Sequence, residues 1–104
     1  MKQYKPSVMQ DKCECFVCHK PYDLDHHHAI HSRGLRKLAD EDGLWVWMCR
    51  KCHSELHDLP EHPHDAELKA LAQKAYIETQ RKKGIGENVA RDLFRNRYGR
   101  FFDQ

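Results

Sequence analysis

The sequence predicts a small α+β domain stapled by a four-cysteine metal site and followed by C-terminal helices. Three observations predict it. Cys15-Phe-Val-Cys18 and Cys49-Arg-Lys-Cys52 are two CxxC knuckles about thirty residues apart. Leu44-Trp45-Val46-Trp47-Met48 is aromatic and β-branched, bounded by Gly43 and the second knuckle, as a strand would be. Past Pro63, apolar residues recur at helical spacing.

The elements follow in order. Residues 1–12 read as a loose arm leading to the first knuckle. Residues 13–59 form the core unit, and 60–104 a helical extension packed into the same single domain. A short strand is expected within Tyr22 to Ile30, carrying the run Asp25-His26-His27-His28. A helix is expected over Leu35 to Asp42, with Leu35, Leu38 and Ala39 on one face and Gly43 stopping the turn. After the strand at Leu44–Met48, a helix begins near Cys52 and ends before Pro60. Asp58 to His64, with two prolines, is a connector. Pro63 suits a first helical position and Asp65 the positive end of a helix. Leu68, Leu71, Ala72, Ala75, Tyr76 and Thr79 then form one stripe, and Gly84 and Gly86 break the helix. A last helix, about Glu87 to Tyr98, packs Val89, Ala90, Leu93 and Phe94.

The chain has 104 residues, so apolar burial alone leaves little surplus stability and a structural metal is a plausible supplement. Charged residues make up 33% and hydrophobic residues 39%. That balance excludes a membrane-spanning chain, which needs roughly 20 consecutive apolar residues. The polar start, Met1-Lys2-Gln3-Tyr4-Lys5-Pro6, lacks the apolar core of a signal peptide, so a reducing cytoplasm is expected. There, paired CxxC motifs are metal ligands in preference to disulfides. The formal charge of +2 does not by itself argue for nucleic acid. The basic residues are clustered, however, at Arg33, Arg36 and Lys37, at Arg81-Lys82-Lys83, and at Arg91, Arg95, Arg97 and Arg100. Such clusters favour a polyanionic partner.

Zinc prefers tetrahedral thiolate ligands, and each two-residue gap lets one tight turn present both sulfurs. Cys15, Cys18, Cys49 and Cys52 are therefore expected to close a structural zinc site, with Cys13 as a spare thiol. A closed site has no open coordination position, so this ion is not expected to do chemistry. The second knuckle runs into His53-Ser-Glu-Leu-His57. Residues four apart share a helix face, so His53 and His57 can converge on one ion.

Taken together, the order CxxC, paired His, an Arg-Lys helical stretch, Gly43-Leu44 and Cys49-Arg-Lys-Cys52-His53 resembles the HNH (His-Me finger, ββα-metal) endonucleases. It is most similar to the small zinc-knuckle proteins of that superfamily found in phages and prophages. The resemblance covers about Cys15 to His57. It implies a ββα-metal core and a DNA-cleaving hydrolase with one catalytic divalent ion (Mg2+, Mn2+, Ni2+ or Zn2+) besides the structural Zn2+. In the family's paired motif the first residue binds metal and the second is the general base. Carried over, His27 with His53 and His57 would hold the ion, and His28 would deprotonate the attacking water. Because the run is a triplet, His26 as ligand with His27 as base, and Asp25 as ligand with His26 as base, are the other registers. The chain departs from the family where the central Asn usually stands, which here reads Asp42-Gly43-Leu44.

On this reading Arg33, Arg36 and Lys37 contact phosphates near the cut, and Arg95, Arg97 and Arg100 extend the track. Tyr98, Phe101 and Phe102 are expected to pack against the preceding helix, and His31 to be a loop residue. Two other classes stay open. One is a zinc-stapled nucleic-acid-binding module without cleavage, which the missing Asn favours. The other is a phage-encoded interaction or inhibitor protein.

Overall fold

A computed structural model describes residues 6–31, 34–58 and 63–102; the side chains of His57 and Pro63 lie outside that description. The elements run β1 (Leu24–His28), α1 (Leu35–Asp42), β2 (Trp45–Cys49), α2 (Arg50–Asp58), α3 (Pro63–Lys82) and α4 (Glu87–Tyr98). The chain is thus a small α+β protein with a two-stranded antiparallel sheet and four helices. No described helix is long and apolar enough to cross a membrane.

β1 and β2 pair antiparallel from Leu24 opposite Cys49 to His28 opposite Trp45. The Ala29 N–H reaches the Leu44 carbonyl at 3.1 Å and extends the ladder by one bond. Strand side chains alternate between faces. The triplet is therefore divided, with His26 and His28 on one face of β1 and Asp25 and His27 on the other. β2 passes directly into α2, which starts at Arg50, ahead of the Cys52 read from the sequence. The last strand residue and the first helical turn thus share the second knuckle.

Residues 7–12, part of the arm expected at 1–12, are not loose, and they continue into residues 13–16 at the first knuckle. They lie along the second edge of β2. The Phe16 N–H donates to the Trp47 carbonyl at 2.8 Å, and the Trp47 N–H donates to Gln10 Oε1 at 2.8 Å. The Ser7 hydroxyl donates to the Trp45 carbonyl. The Val8 N–H donates to the Gly43 carbonyl at 2.9 Å.

α1 ends as its glycine predicts. Gly43 has φ 73°, and the Leu44 N–H reaches back to the Ala39 carbonyl at 2.8 Å, closing the helix end. Leu44 is thereby used by the helix exit, which is why β2 begins one residue later than its composition implied. A Cβ at Gly43 would stand 2.7 Å from the Pro6 carbonyl oxygen, besides straining the left-handed backbone. Gly43→Ala is therefore expected to cost about 1–2 kcal/mol from backbone handedness alone, with the clash in addition. A thermal melt checks this, and an unchanged midpoint would show that the approach of residue 6 is dispensable.

α3 and α4 pack by an aromatic cluster. Tyr76 and Phe94 ring centroids lie 5.5 Å apart, Phe94 and Tyr98 4.8 Å, and Phe94 and Phe102 6.0 Å. Tyr98 and Phe102 are thus packing residues, as expected. Buried Gln73 accepts the Phe102 N–H at 2.6 Å, which folds the chain back after α4. The stripes are narrower than the sequence implied. α4 buries Ala90, Phe94 and Tyr98, four residues apart, whereas Val89 and Leu93 are exposed at 56% and 38%, and so is Leu71 of α3 at 38%. One helical step turns a side chain about 100° away, and Val89 and Leu93 sit one step off the contact line.

Asp42 ties α1 to α4. It accepts from Arg97 Nε at 2.7 Å and from the Tyr98 hydroxyl, while Arg97 also reaches Glu41 at 3.0 Å. Arg97 is therefore held in the fold by two carboxylates of α1. Burial raises the Tyr98 hydroxyl, and its bond to Asp42 raises it further. Asp42→Ala leaves that buried hydroxyl without its acceptor, for an expected cost of about 1–3 kcal/mol. The midpoint of a thermal melt should fall by roughly 4–8 °C for each kcal/mol lost.

Candidate metal centres and the histidine cleft

The Sγ atoms of Cys15, Cys18, Cys49 and Cys52 all lie within 4.8 Å of one another. Three elements bring them together. The first knuckle is pinned to the β2 edge through Phe16, Cys49 ends β2, and Cys52 lies in the first turn of α2. Within the first knuckle, the Cys18 N–H points at Cys15 Sγ at 3.5 Å, and the His19 N–H at the Cys15 carbonyl at 2.9 Å. Cys18 and Cys49 sulfurs stand 3.6 Å apart. Four thiolates about 2.3 Å from one zinc ion sit about 3.8 Å from each other, so the spacing fits a tetrahedral metal. No pair is a disulfide, and Cys13 stays outside the group, exposed.

The electrostatics also fit a cation. Burial pushes the Cys15 thiol up, but backbone N–H groups of Cys18, Cys49 and Val17 outweigh it and bring the thiol down to about 6. Burial raises Cys52, and the other three sulfurs raise it further. Four crowded sulfurs cannot all ionise by themselves, and a divalent ion at their centre removes the repulsion. The four cysteines thus form a site able to hold a structural metal.

A cleft of about 530 Å3 opens beside the sheet, lined by His26, His27, His28, His31, Arg36, Lys37, Asp40 and His53. On one side, His27 is 2% exposed, with its ring centroid 4.9 Å from His53 and 5.9 Å from His31. His53 Nδ1 donates to Asp25 at 3.1 Å, a bond that fixes the tautomer and leaves Nε2 as the lone-pair nitrogen. His57 follows on the same helix, one turn on; its side chain lies outside the described residues. His31 is more than a loop residue. Its Nε2 lies 2.6 Å from Asp65 of α3, which also pairs with Lys69 at 3.0 Å. Burial pushes Asp65 up, but its bonds to His31 and Lys69 outweigh that and hold its carboxyl below the usual range.

On the other side, His26 Nε2 and His28 Nε2 each donate to Asp40 Oδ1 at 2.9 Å. His26 stacks on Trp45 with ring centroids 4.2 Å apart. Burial alone would raise the Asp40 carboxyl; the bonds from His28 and His26 outweigh it and hold the carboxyl below its ordinary value. Arg36 and Lys37 are exposed along the cleft, with Arg36 Nε donating to the His31 carbonyl at 3.2 Å. Arg33 lies outside the described residues.

Of the three registers open in the sequence, His27 and Asp25 share the β1 face that meets His53, whereas His26 faces Asp40. Sequence reasoning missed Asp40, which it placed only within the helix expected over Leu35 to Asp42. A signal was present: Asp40 falls one turn after Arg36 on α1, so a cleft lined by one would be lined by the other.

Comparison of the chain with protein-family models found no match, and neither curated proteins nor solved structures gave one. Fold and site define the chain as a small α+β protein with a cluster of four cysteines at metal-binding spacing beside a histidine-rich cleft.

Proposed function

We propose that this protein is a metal-dependent DNA endonuclease of the HNH type, stapled by zinc on Cys15, Cys18, Cys49 and Cys52. The observation that carries the reading is a single cleft holding the facing pair His27 and His53, with His28, Arg36 and Lys37 on its walls. His27, His53 and His57 are the residues to hold one divalent ion. Such an ion, when bound, stabilises the negative charge that grows on the leaving oxygen. Asp25 orients His53 from behind, as carboxylates do for metal-bound imidazoles.

His28 is the general base, an imidazole able to take the proton of the attacking water. Its Nε2 proton sits on the Asp40 side in the resting cleft, so Asp40 fixes the ring's orientation. Arg36 and Lys37 hold the phosphodiester backbone electrostatically, without reading bases.

Supercoiled plasmid incubated with Mg2+, Mn2+ or Ni2+ tests the reading. Nicking that disappears in His53→Ala supports it. Binding of DNA without nicking under every metal would support the second reading, a nucleic-acid-binding module that has lost cleavage. The absence of Asn at Asp42-Gly43-Leu44 favours that reading. No affinity for DNA at low salt would overturn both.

A further inference from the structure

We propose that His26, His28 and Asp40 form a second cation site, on the opposite face of β1 from His27 and His53, selective for a first-row transition ion. The Nε2 atoms of both histidines lie 2.9 Å from one carboxylate oxygen, and the three ligand atoms converge within 4.8 Å. Ligands about 2.0–2.1 Å from a tetrahedral ion sit about 3.3 Å apart, so small outward shifts admit it. The residues come from elements that hold them independently. His26 and His28 are i and i+2 on a paired strand, and Asp40 is in the last turn of α1. Their side chains are 14%, 13% and 16% exposed, so the ligands are largely desolvated before an ion arrives. The cleft leaves room for water at the remaining coordination position.

Two imidazoles and one carboxylate choose the metal. Nitrogen ligands suit zinc, nickel, cobalt or copper, while magnesium and calcium prefer all-oxygen sites. On binding, each imidazole turns its Nε2 lone pair to the ion and carries its proton on Nδ1. Asp40 then exchanges two hydrogen bonds for one metal bond. No proton need leave the neutral imidazoles, and the carboxylate leaves a net single positive charge. Occupancy takes the His28 lone pair, so an excess of such metal would brake cleavage. That consequence rests on the nuclease reading; the binding does not.

The stack of His26 on Trp45 supplies a readout that needs no DNA. The probe is Ni2+, a paramagnetic ion that quenches a neighbouring indole, added to zinc-loaded full-length protein carrying His53→Ala. That background removes the facing histidine pair. Nickel is expected to quench tryptophan emission along a one-site curve, with displacement by Zn2+ and none by Mg2+. His26→Gln and Asp40→Asn, each with its thermal transition intact, are expected to weaken nickel binding by on the order of tenfold or more. His26→Gln keeps bulk over Trp45, and equilibrium dialysis of nickel gives the same comparison without fluorescence. Nickel affinity unchanged in both variants, or full competition by Mg2+, would overturn the proposal whatever the plasmid assay shows.

Discussion

A strong zinc chelator at neutral pH is expected to abolish the cooperative thermal transition of this protein, and Cys49→Ser to do the same without any chelator. The effect is the largest predicted because the sulfur cluster crosslinks three parts of the fold at one point. It ties the first knuckle to the end of β2 and to the first turn of α2. Cys15 and Cys49 are buried at 0% and 1%, so their unbound thiolates would be desolvated and mutually repelling. Zinc bound to such sites contributes apparent free energies of roughly 10–16 kcal/mol at neutral pH. A whole domain is stable by roughly 5–15 kcal/mol. Removing the ion therefore exceeds or exhausts the total. Differential scanning calorimetry with zinc analysis measures it, and Cys13→Ser is the control that should melt like the parent. A chelated protein that melts at the parent's temperature would remove the cluster from any role in folding.

The second large effect concerns the cleft. If His28 takes a proton from the attacking water, His28→Ala should lower plasmid nicking by roughly 100- to 10,000-fold while leaving DNA binding in place. His28 is part-buried against Asp40 of α1 and lies outside the apolar core cluster, so truncation is expected to leave that core in place. Asp40→Asn keeps a hydrogen-bonding side chain of the same shape but no charge, and is expected to give a smaller loss. Single-turnover nicking with parallel filter binding separates the two quantities. Nicking retained in His28→Ala would move the base elsewhere in the triplet or exclude the mechanism.

Local chemistry made much of this structure legible. Gly43 ends α1 because only a left-handed residue lets the Leu44 N–H reach back, and glycine there is a local signal. The cysteine pairs announce their geometry because two residues between sulfurs fit one turn. The division of the histidine triplet follows from the period of a strand once the strand is placed. What stayed hidden depends on distant partners. The seat of Asp40 requires knowing how α1 lies against β1. Arg97 looked like part of a basic surface, and only the approach of α4 to α1 spends it on Asp42. Val89 and Leu93 looked like core because a wide apolar stripe does not reveal how narrow its contact will be.

The segment beside β2 has a consequence for how the molecule keeps to itself. A two-stranded sheet is short of partners, and a bare strand edge is a template on which another chain can add a strand. Ser7, Gln10 and Phe16 fill the open groups of Trp45 and Trp47 with the chain's own atoms. Cutting the chain after Gln10 would take two of these three guards away. Intermolecular pairing through the tryptophan strand would then compete with the native fold.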